Sequence, residues 1–365
     1  MKKNLVISAI NFSTGGPLKI LQDAVHTARE TLGNEWNITV MVHRKGVLNL
    51  AGVTVKEFPL SKRNWLVRIW YEWFVFQSLS KEMTVDLWVS LHDITPRVVA
   101  RRQVVYCHNP APFYSVSFRE AWMDPSFFLF NKLYSILYRT FIERNHCVVV
   151  QQEWLRCAFA KWVAPSKIVV AYPEARLPAL PQSIDFENEK TVFLYPALPR
   201  VFKNFEVICE AVDILIHDGL GAHFEVRLTV NGTENRYARW LLEKYSRLGS
   251  IRFLGLQTRD QIEQQYREAE VVLFPSKLET WGLPISEAKF FRRKLLIADL
   301  PYAREAVGCY DNLGFFDPHV PRSLADQMRA IVERRWMPVS TDAQVPVQPF
   351  ARNWAELWGV MTVGL

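Results

Sequence analysis

Two glutamates in the second half of the chain, Glu279 and Glu287, are separated by seven residues and stand where a strand pattern meets a helical one. Residues 271–274 are β-branched or apolar, which predicts a buried strand, and Pro284 favours the first turn of a helix. Both glutamates would then face the crevice at the carboxyl ends of the strands, where α/β folds bind ligands. Carboxylates there accept hydrogen bonds from the vicinal hydroxyls of a ribose or hexose, and Gly282 permits backbone amides to approach closely. For either glutamate alone, a solvated loop residue or a partner of the helix dipole is the alternative.

A glycine pair, Gly15 and Gly16, follows the first apolar run and precedes Pro17 and an amphipathic segment at 18–32. The pattern predicts a turn that opens a helix, with Pro17 at the first helical position. The glycines leave backbone N–H groups uncovered at the positive end of the helix dipole, where a phosphate can bind. Because the spacing is not G-x-G-x-x-G, a tight connecting turn is the alternative.

These residues need elements that hold them, and the chain has two series of apolar runs that alternate with helical patterns. The runs of the first series are 5–10, 38–42, 87–90, 104–106 and 147–150; those of the second are 192–195, 224–230, 251–254, 271–274 and 295–298. Such alternation predicts two α/β domains with parallel sheets covered by helices.

The boundaries follow from composition. A stretch rich in proline and polar residues, 173–190, reads as a linker. We therefore expect an N-terminal Rossmann-like domain at 1–172 and a C-terminal one at 191–345. Residues 346–365 end in a helical pattern that is expected to pack back on the N-terminal domain.

Composition narrows the class of protein. The chain has 365 residues, a length that suits two domains, and 49% hydrophobic with 22% charged residues is ordinary for a globular protein. A net charge of +7 suits nucleic acid, anionic lipid or a phosphorylated substrate. No nucleic-acid-binding motif is recognisable, so we expect no nucleic-acid partner. The five cysteines lack C-x-x-C spacing, which favours reduced cytosol over a disulfide framework or zinc site.

A family resemblance is carried by residues 275–288, PSKLETWGLPISEA. They resemble the Glu-x7-Glu signature of family 4 retaining glycosyltransferases, P-S-x-x-E-G-F-G-L-P-x-x-E-A, with Thr280 and Trp281 as substitutions. The family usually has small residues after this motif, whereas this chain has basic and aromatic ones. The resemblance implies a GT-B fold, in which two Rossmann-like domains face each other across a cleft. It also implies contacts to the sugar nucleotide from Glu279 on a donor-sugar hydroxyl, from Glu287 on the ribose, and from Gly282 and Leu283.

Other segments resemble the family in the expected order. Residues 195–204, YPALPRVFKN, resemble the segment that binds the donor diphosphate, which implies this role for Arg200 and Lys203, although proline stands where glycine is usual. Residues 230–232 and 251–256 resemble the strand ends that frame the nucleotide base. The implied donor-site positions there are Asn231, Gly232 and Leu254.

The first domain has a matching histidine. Residues 105–111 put His108 after a strand, which resembles the family histidine near the transferred sugar, and a hydrogen bond to the donor sugar or its phosphate is implied. Taken alone, such a histidine is more often structural. Gly15 and Gly16 complete the implied donor contacts.

The resemblance implies a retaining hexosyltransferase that moves a sugar from a nucleotide-diphosphate donor to a lipid-linked oligosaccharide. The product would belong to a bacterial cell-surface glycan such as O-antigen, capsule or exopolysaccharide. A front-face path through an oxocarbenium-like ion pair is implied, with double displacement through Glu279 as the alternative. We expect no cofactor and no metal, because cationic side chains can stabilise the departing diphosphate.

Residues 61–76 are basic at the start and unusually aromatic. The segment suits either an amphipathic helix on an anionic membrane or a buried core helix. A second aromatic stretch, 113–138, could line the acceptor cleft or cover the sheet. The expected location is the cytoplasm, with peripheral contact at the inner-membrane face.

Two other functions stay open on sequence grounds. A catalytically inactive GT-B scaffold would share the fold but not need Glu279. A sugar-nucleotide epimerase would share the donor site but form no acceptor-linked product.

Overall fold

A computed structural model describes residues 2–13, 15–48, 51–173 and 189–365. Its strands, in chain order, are β1 (Lys3–Ser8), β2 (Trp36–Val42), β3 (Thr54–Glu57), β4 (Val85–Ser90), β5 (Ala100–Cys107), β6 (Cys147–Val150), β7 (Ile168–Ala171), β8 (Thr191–Tyr195), β9 (Phe224–Leu228), β10 (Ile251–Phe253), β11 (Val271–Phe274), β12 (Lys294–Ala298), β13 (Tyr310–Phe316), β14 (Val339–Thr341) and β15 (Phe350–Ala351).

The α-helices, in chain order, are α1 (Gly15–Leu32), α2 (Trp65–Trp70), α3 (Phe76–Met83), α4 (Phe118–Met123), α5 (Pro125–Arg139), α6 (Glu153–Phe159), α7 (Phe205–His217), α8 (Arg236–Tyr245), α9 (Arg259–Glu268), α10 (Leu283–Phe290), α11 (Pro301–Val307), α12 (Pro321–Val332) and α13 (Trp354–Thr362). A π-helical turn, Tyr71–Val75, joins α2 to α3. Short 3-10 helices are Gly33–Glu35, Lys45–Val47, Pro59–Lys62, Ala111–Phe113, Ile142–Arg144, Pro165–Lys167 and Val201–Lys203.

The chain forms two compact units. The first consists of the described parts of 1–113, 131–174 and 346–365, and the second of the described parts of 114–130 and 175–345. The segment 114–130 thus belongs to the second unit, although the sequence analysis assigned it to the first domain. The unit boundary crosses α5 after Phe130.

Each unit is built on one sheet. The first sheet has the order β15-β7-β6-β5-β4-β1-β2-β3, with parallel pairing throughout. The second has the order β10-β9-β8-β11-β12-β13-β14, parallel except for β14, which runs antiparallel to β13. The direction of winding reverses between β1 and β4 in the first sheet and between β8 and β11 in the second. In α/β sheets, these reversal points open the crevice that binds ligands.

Alternation along β1 explains why the first sheet is covered on both faces. Leu5 and Ile7 pack into one hydrophobic cluster with α1 and α13, whereas Val6 packs into another with Trp88 and Phe76. Successive strand residues point to opposite faces, so a strand with both sets buried must lie between two helical layers. The continuous apolar runs of the sequence reflect this burial.

The C-terminal helix α13 packs on α1 within the first unit. The indole of Trp358 donates a 3.1 Å hydrogen bond to the carbonyl of Ala24, and Trp354 stacks on Tyr106 with ring centroids 5.4 Å apart. Strand β15 pairs with β7 just before this helix. The chain therefore leaves the second unit near residue 345 and ends as part of the first.

One detail differs from the sequence-based expectations. Helix α1 begins at Gly15, two residues before Pro17. Most of the expected linker, 174–188, lies outside the described residues. Among the described helices, none is both long enough and apolar enough to span a bilayer.

Candidate functional site

Lys203 and Glu279 form an ion pair at the reversal point of the second sheet. Lys203 follows β8 and Glu279 follows β11, and these strands are neighbours whose carboxyl ends meet at one edge. The Lys203 ammonium donates to Glu279 Oε1, and both side chains are mostly buried, with 19% and 13% exposure. A cation and a carboxylate at this edge form a polar site suited to a phosphorylated sugar.

Backbone contacts hold the two loops together. The N–H of Lys277 donates to the carbonyl of Phe202 at 2.7 Å, which joins the loop after β11 to the loop after β8. The buried hydroxyl of Tyr195 donates to the carbonyl of Lys203 at 2.9 Å. The Asn204 side-chain amide, from a residue with φ +59°, bonds the carbonyl of Pro318. The Lys203 ammonium is therefore presented from a fixed backbone.

Arg200 is held by a segment that the sequence analysis did not connect with the donor site. Its Nε lies 3.3 Å from Asp124 Oδ2, and its guanidinium lies over the ring of Phe127 at 5.9 Å. Glu120 from the same segment lies 3.4 Å from the ammonium of Lys277. Residues 114–130 thus supply two carboxylates to cations of the loops after β8 and β11.

Glu287 has partners different from those of Glu279. It projects from α10 and accepts hydrogen bonds from Arg259 at 2.7 Å and from the hydroxyl of Tyr266 at 2.8 Å. Burial, and then the nearby Glu287 carboxylate, raise the pKa of the Tyr266 hydroxyl well above its ordinary value. Tyr266 therefore remains a donor at neutral pH and keeps the Glu287 carboxylate oriented. Arg259 and Tyr266 were missed because their link to Glu287 is tertiary.

Gly282 turns the chain between the two glutamates. It has φ +75° and directly precedes α10, whose first residue, Leu283, is 54% exposed. A Cβ at this position would lie 2.8 Å from Phe274 Cζ and 2.9 Å from Ile285 Cδ1. Both the left-handed backbone and the close packing require glycine here.

The residues expected to frame a nucleotide base lie together but are engaged with protein groups. The N–H groups of Asn231 and Gly232 donate to the carboxylate of Glu234 at 2.8 and 2.9 Å. The N–H of Leu254 donates to the carbonyl of Leu228, and Gly255 packs against the Asn231 amide. A ligand that used the amides of residues 231 and 232 would have to displace Glu234.

In the first unit, Gly15 and Gly16 follow β1 and begin α1. Gly15 has φ +69°, and a Cβ built on either glycine would meet no atom within 4 Å. The space at these two Cβ positions is therefore open, and α1 has 18 residues, so the positive end of its dipole lies at this turn. The arrangement is able to accept an anion.

His108 follows β5 at the same edge of the sheet and is tied to Asp93. Asp93 Oδ1 accepts hydrogen bonds from the N–H groups of His108 at 2.8 Å and Asn109 at 3.1 Å, and it lies 3.4 Å from His108 Nδ1. Asp93 has φ +72°, a conformation uncommon for residues with a Cβ. The ring of Phe12 packs edge-on against the imidazole at 5.4 Å. The position of Asp93, shortly after an apolar run, was the sequence signal that could have found it.

A buried polar cluster lies beneath this edge. His92 Nε2 is 3.0 Å from the hydroxyl of Ser8 and 3.1 Å from Glu72 Oε1, and Arg68 Nη2 is 3.3 Å from His92 Nδ1. Arginine can only donate, so Nδ1 accepts and the proton is on Nε2. Burial, and then the charge of Arg68, lower the pKa of His92. His92 is therefore neutral, and its Nε2–H points at Ser8 and Glu72.

Glu72 predicts a dependence of stability on pH. Burial raises its pKa from 4.5 to about 8, so the folded chain retains a proton that the unfolded chain releases. The stabilisation is complete below about pH 4.5 and is lost as pH rises towards 8, by roughly 1 kcal/mol per pH unit. Glu72→Gln should flatten this decline, as measured by thermal unfolding at several pH values.

The control for this prediction is Glu82→Gln, an exposed glutamate of the neighbouring helix α3. It should leave the pH profile of the native chain unchanged. Parallel profiles for Glu72→Gln and the unaltered chain would contradict a protonated Glu72.

Neither a membrane-bound amphipathic helix nor a buried core helix, the two alternatives for residues 61–76, describes the whole segment. Arg68, Glu72 and Phe76, spaced four apart, face inward and are buried. The opposite side exposes apolar side chains with the same spacing, Leu66 (78%), Trp70 (52%) and Phe74 (54%). The aromatic stretch 113–138 is divided between the two units.

Across the described ranges, no three His, Cys, Asp or Glu side chains are grouped to hold a metal ion. The expectation that no metal is required stays a prediction. What the arrangement offers is positive charge at the loops after β8 and β11, with carboxylates able to accept hydroxyl hydrogen bonds.

The family comparison bears on the second unit. Residues 178–344 match the family model described as "Glycosyl transferases group 1", which spans less than half of the chain. Comparison with curated proteins gave no significant match.

The structural comparison covers nearly the whole chain. The fold is similar to that of the lipopolysaccharide outer core galactosyltransferase WaaB in its apo form, with 12% identity and a TM-score of 0.61 over 91% of this chain and 90% of that chain. Sucrose-phosphate synthase from Thermosynechococcus elongatus has 14% identity and a TM-score of 0.61, over 100% of this chain and 95% of that chain. Anabaena HepE in complex with UDP-glucose has 16% identity and a TM-score of 0.59, over 91% of this chain and 90% of that chain.

Such low identities establish the fold alone. The predicted GT-B fold of two Rossmann-like domains is confirmed by these similarities and by the two parallel-dominated sheets. Together with the family match in the second unit, they support a glycosyltransferase.

Proposed function

We propose that this protein transfers a hexosyl group from a nucleotide-diphosphate sugar to an acceptor hydroxyl with retention of anomeric configuration. The observation that carries the proposal is the pairing of Lys203 with Glu279 at the reversal point of the second sheet. That edge combines a cation for a diphosphate with a carboxylate for a sugar hydroxyl. The solved complex of HepE with UDP-glucose, similar in fold, supports a nucleotide sugar as donor.

The proposed roles follow from the charges. Arg200 and Lys203 stabilise the diphosphate as the glycosyl–oxygen bond breaks and its electron pair moves to the phosphate oxygen. Such preorganised cations typically contribute a few kcal/mol each, and with them the reaction needs no metal. Glu279 accepts from a donor-sugar hydroxyl, and Glu287 accepts from the ribose.

The first unit contributes the other proposed donor contacts. The start of α1 at Gly15 and Gly16 suits the phosphates, and His108, oriented through Asp93, suits a hydrogen bond to the sugar or its phosphate. In the front-face path, the acceptor oxygen joins the anomeric carbon on the side the diphosphate leaves. The acceptor proton passes to a diphosphate oxygen, which accounts for retention without a covalent intermediate.

A lipid-linked oligosaccharide of a bacterial cell-surface glycan is the proposed acceptor, reached at the cytoplasmic membrane face. The exposed row of Leu66, Trp70 and Phe74 supports contact with a membrane surface, and exposed Lys62 and Arg63 precede it. Apolar side chains next to cations are the composition that binds anionic lipid bilayers peripherally.

Donor binding is tested by thermal stabilisation with UDP-, GDP- and dTDP-sugars. One sugar nucleotide should raise the melting temperature by mass action, and Glu287→Gln should weaken that shift. Glu263→Gln is the matched control, because Glu263 also pairs with Arg259, at 2.9 Å, but lies on α9 away from the motif. Equal shifts for both variants would contradict the ribose role of Glu287.

Product analysis then separates the remaining functions. A new glycosidic bond with the anomeric configuration of the donor, seen by NMR, supports retention. Donor interconversion without an acceptor-linked product would identify an epimerase. No stabilisation by any donor or free nucleotide would favour the inactive scaffold.

A further inference from the structure

A basic cavity of about 780 Å³ lies in the first unit, at the edge of the sheet opposite to His108. Its lining comes from the segments that lead into β5, β6 and β7 and includes the cations Arg97, Arg139, Arg144 and Lys161. In a parallel sheet, all strands begin at the same edge. Because β5 has eight residues that rise about 3.3 Å each, the cavity is roughly 20 to 25 Å from the edge that bears His108.

Positive charge is in excess in this cavity. Glu143 contributes a carboxylate to the lining, yet within the described ranges none of the four cations forms a salt bridge. Like charges gathered around one concavity repel each other, and an anion with several oxygens relieves that repulsion. Phosphate is such an anion, and arginine binds it with paired N–H groups.

Aromatic rings hold the guanidinium groups in place. Arg97 and Arg144 both lie over the ring of Phe141, at 5.7 and 5.5 Å, and Arg139 lies over Trp162 at 5.9 Å. Phe141 has φ +62°, an unfavourable conformation for a bulky side chain. Strained residues concentrate at functional sites, and here the residue with the strained backbone contacts two arginines through its ring.

The surroundings of the cavity indicate where the phosphate comes from. Ile136 and Leu133, 56% and 48% exposed, precede Arg139 on α5 by one and two turns. Trp73 contacts Phe141 edge-on at 5.6 Å, and its neighbour Phe74 belongs to the exposed row described above. A soluble anion needs no apolar border, whereas a lipid headgroup arrives with acyl chains beside it.

We propose that this cavity binds the phosphate of an anionic lipid headgroup when the protein lies on a membrane. The inference rests on the membrane contact included in the proposed function, and it adds a specific headgroup site remote from the candidate donor residues. Arg97 and Arg144, which both contact Phe141, donate hydrogen bonds to the phosphate oxygens, and the exposed side chains of α5 and the π-helical turn contact the acyl region.

The test is flotation of the full chain with vesicles of phosphatidylcholine, alone or mixed with phosphatidylglycerol, without donor or acceptor. The double variant Arg97→Gln/Arg144→Gln should bind the anionic vesicles with an affinity that is lower by about tenfold or more. Lys81→Gln/Arg352→Gln is the control, since it removes two exposed charges elsewhere in the same unit. It should change binding much less. Equal losses in both double variants would overturn the site in favour of general charge attraction.

Other outcomes separate this proposal from the membrane contact itself. If the unaltered chain binds neutral and anionic vesicles equally, the contact stands and the phosphate site is wrong. If it binds neither, both are wrong. A titration of the protein with inorganic pyrophosphate completes the test. The lipid source would be overturned if the unaltered chain binds pyrophosphate tightly, Arg97→Gln/Arg144→Gln does not, and the unaltered chain shows no preference for anionic vesicles. Circular dichroism of each variant identifies any folding defect, and the single variant Arg144→Gln, at an exposed position, then replaces the double one.

Discussion

Replacing Lys203 by methionine is expected to lower kcat for sugar transfer by about 100- to 1,000-fold. The ammonium group lies at the reversal point of the second sheet on a backbone fixed by Tyr195 and Phe202, so its charge is already in position when the diphosphate departs. Methionine retains most of the side-chain volume and removes the charge. Initial rates at saturating donor, with KM measured separately, check the prediction.

The matched control is Lys244→Met on α8. Lys244 also pairs with a glutamate, Glu210, at 3.6 Å, but it is not part of the loops after β8 and β11. Its replacement should leave kcat nearly unchanged. A Lys203→Met enzyme with raised KM and normal kcat would contradict the proposed role, because Lys203 would then bind substrate and transition state equally.

Gly282→Ala should destabilise the protein by about 2 to 4 kcal/mol and abolish stabilisation by the donor. The substituted residue would have to hold φ +75°, and its methyl group would lie within 3 Å of two buried side chains, Phe274 and Ile285. The turn must then shift, which moves Glu279 and Glu287 relative to each other. Thermal unfolding should show a decrease of about 5 to 15 °C.

Gly249→Ala provides the comparison. Gly249 does not have a positive φ, and a Cβ there would meet no atom within 4 Å. This variant should unfold within a few degrees of the unaltered chain and bind donor normally. Comparable losses of thermal stability and donor binding in both variants would contradict a specific requirement for glycine at position 282.

The strands that could be read from the sequence are those that stand out as apolar runs. The run 147–150 became β6 without change, and 271–274 became β11, because unbroken apolar runs rich in valine leave few alternatives. Strands β3, β7 and β13 were not found, and neither were the short β15 and the antiparallel β14. The residues of β14 and β15 pair only because the rest of the sheet is present, and neither strand has a period that sequence alone reveals.

The candidate site was predictable where its residues are close in sequence or end a strand. Glu279, Gly282 and Glu287 lie within one short stretch, and the structure puts them around one turn. Asp124 and Tyr266 escaped notice because each meets its partner only through tertiary packing. The roles of Glu279, Gly282 and Glu287 in the reaction remain predictions.

The segment 61–76 shows a different limit. A pattern with apolar residues every four positions indicates a helix but not which side is buried. Here Arg68 and Glu72 point inward, where both lie beside His92, which also contacts Ser8. Leu66 and Trp70 are therefore exposed, opposite to what a simple amphipathic helix in a globular protein would show.

The second unit is not a continuous piece of the gene. Its residues 114–130 precede the rest of it by more than forty positions, and they supply Asp124 to Arg200, Glu120 to Lys277, and the ring of Trp122 beneath Arg236. A fragment starting at residue 189 would encode Lys203 and both glutamates of the motif without these partners. Recombination that exchanges only the second half between related proteins would therefore transfer the loops after β8 and β11 without the short upstream segment that pairs with their cations.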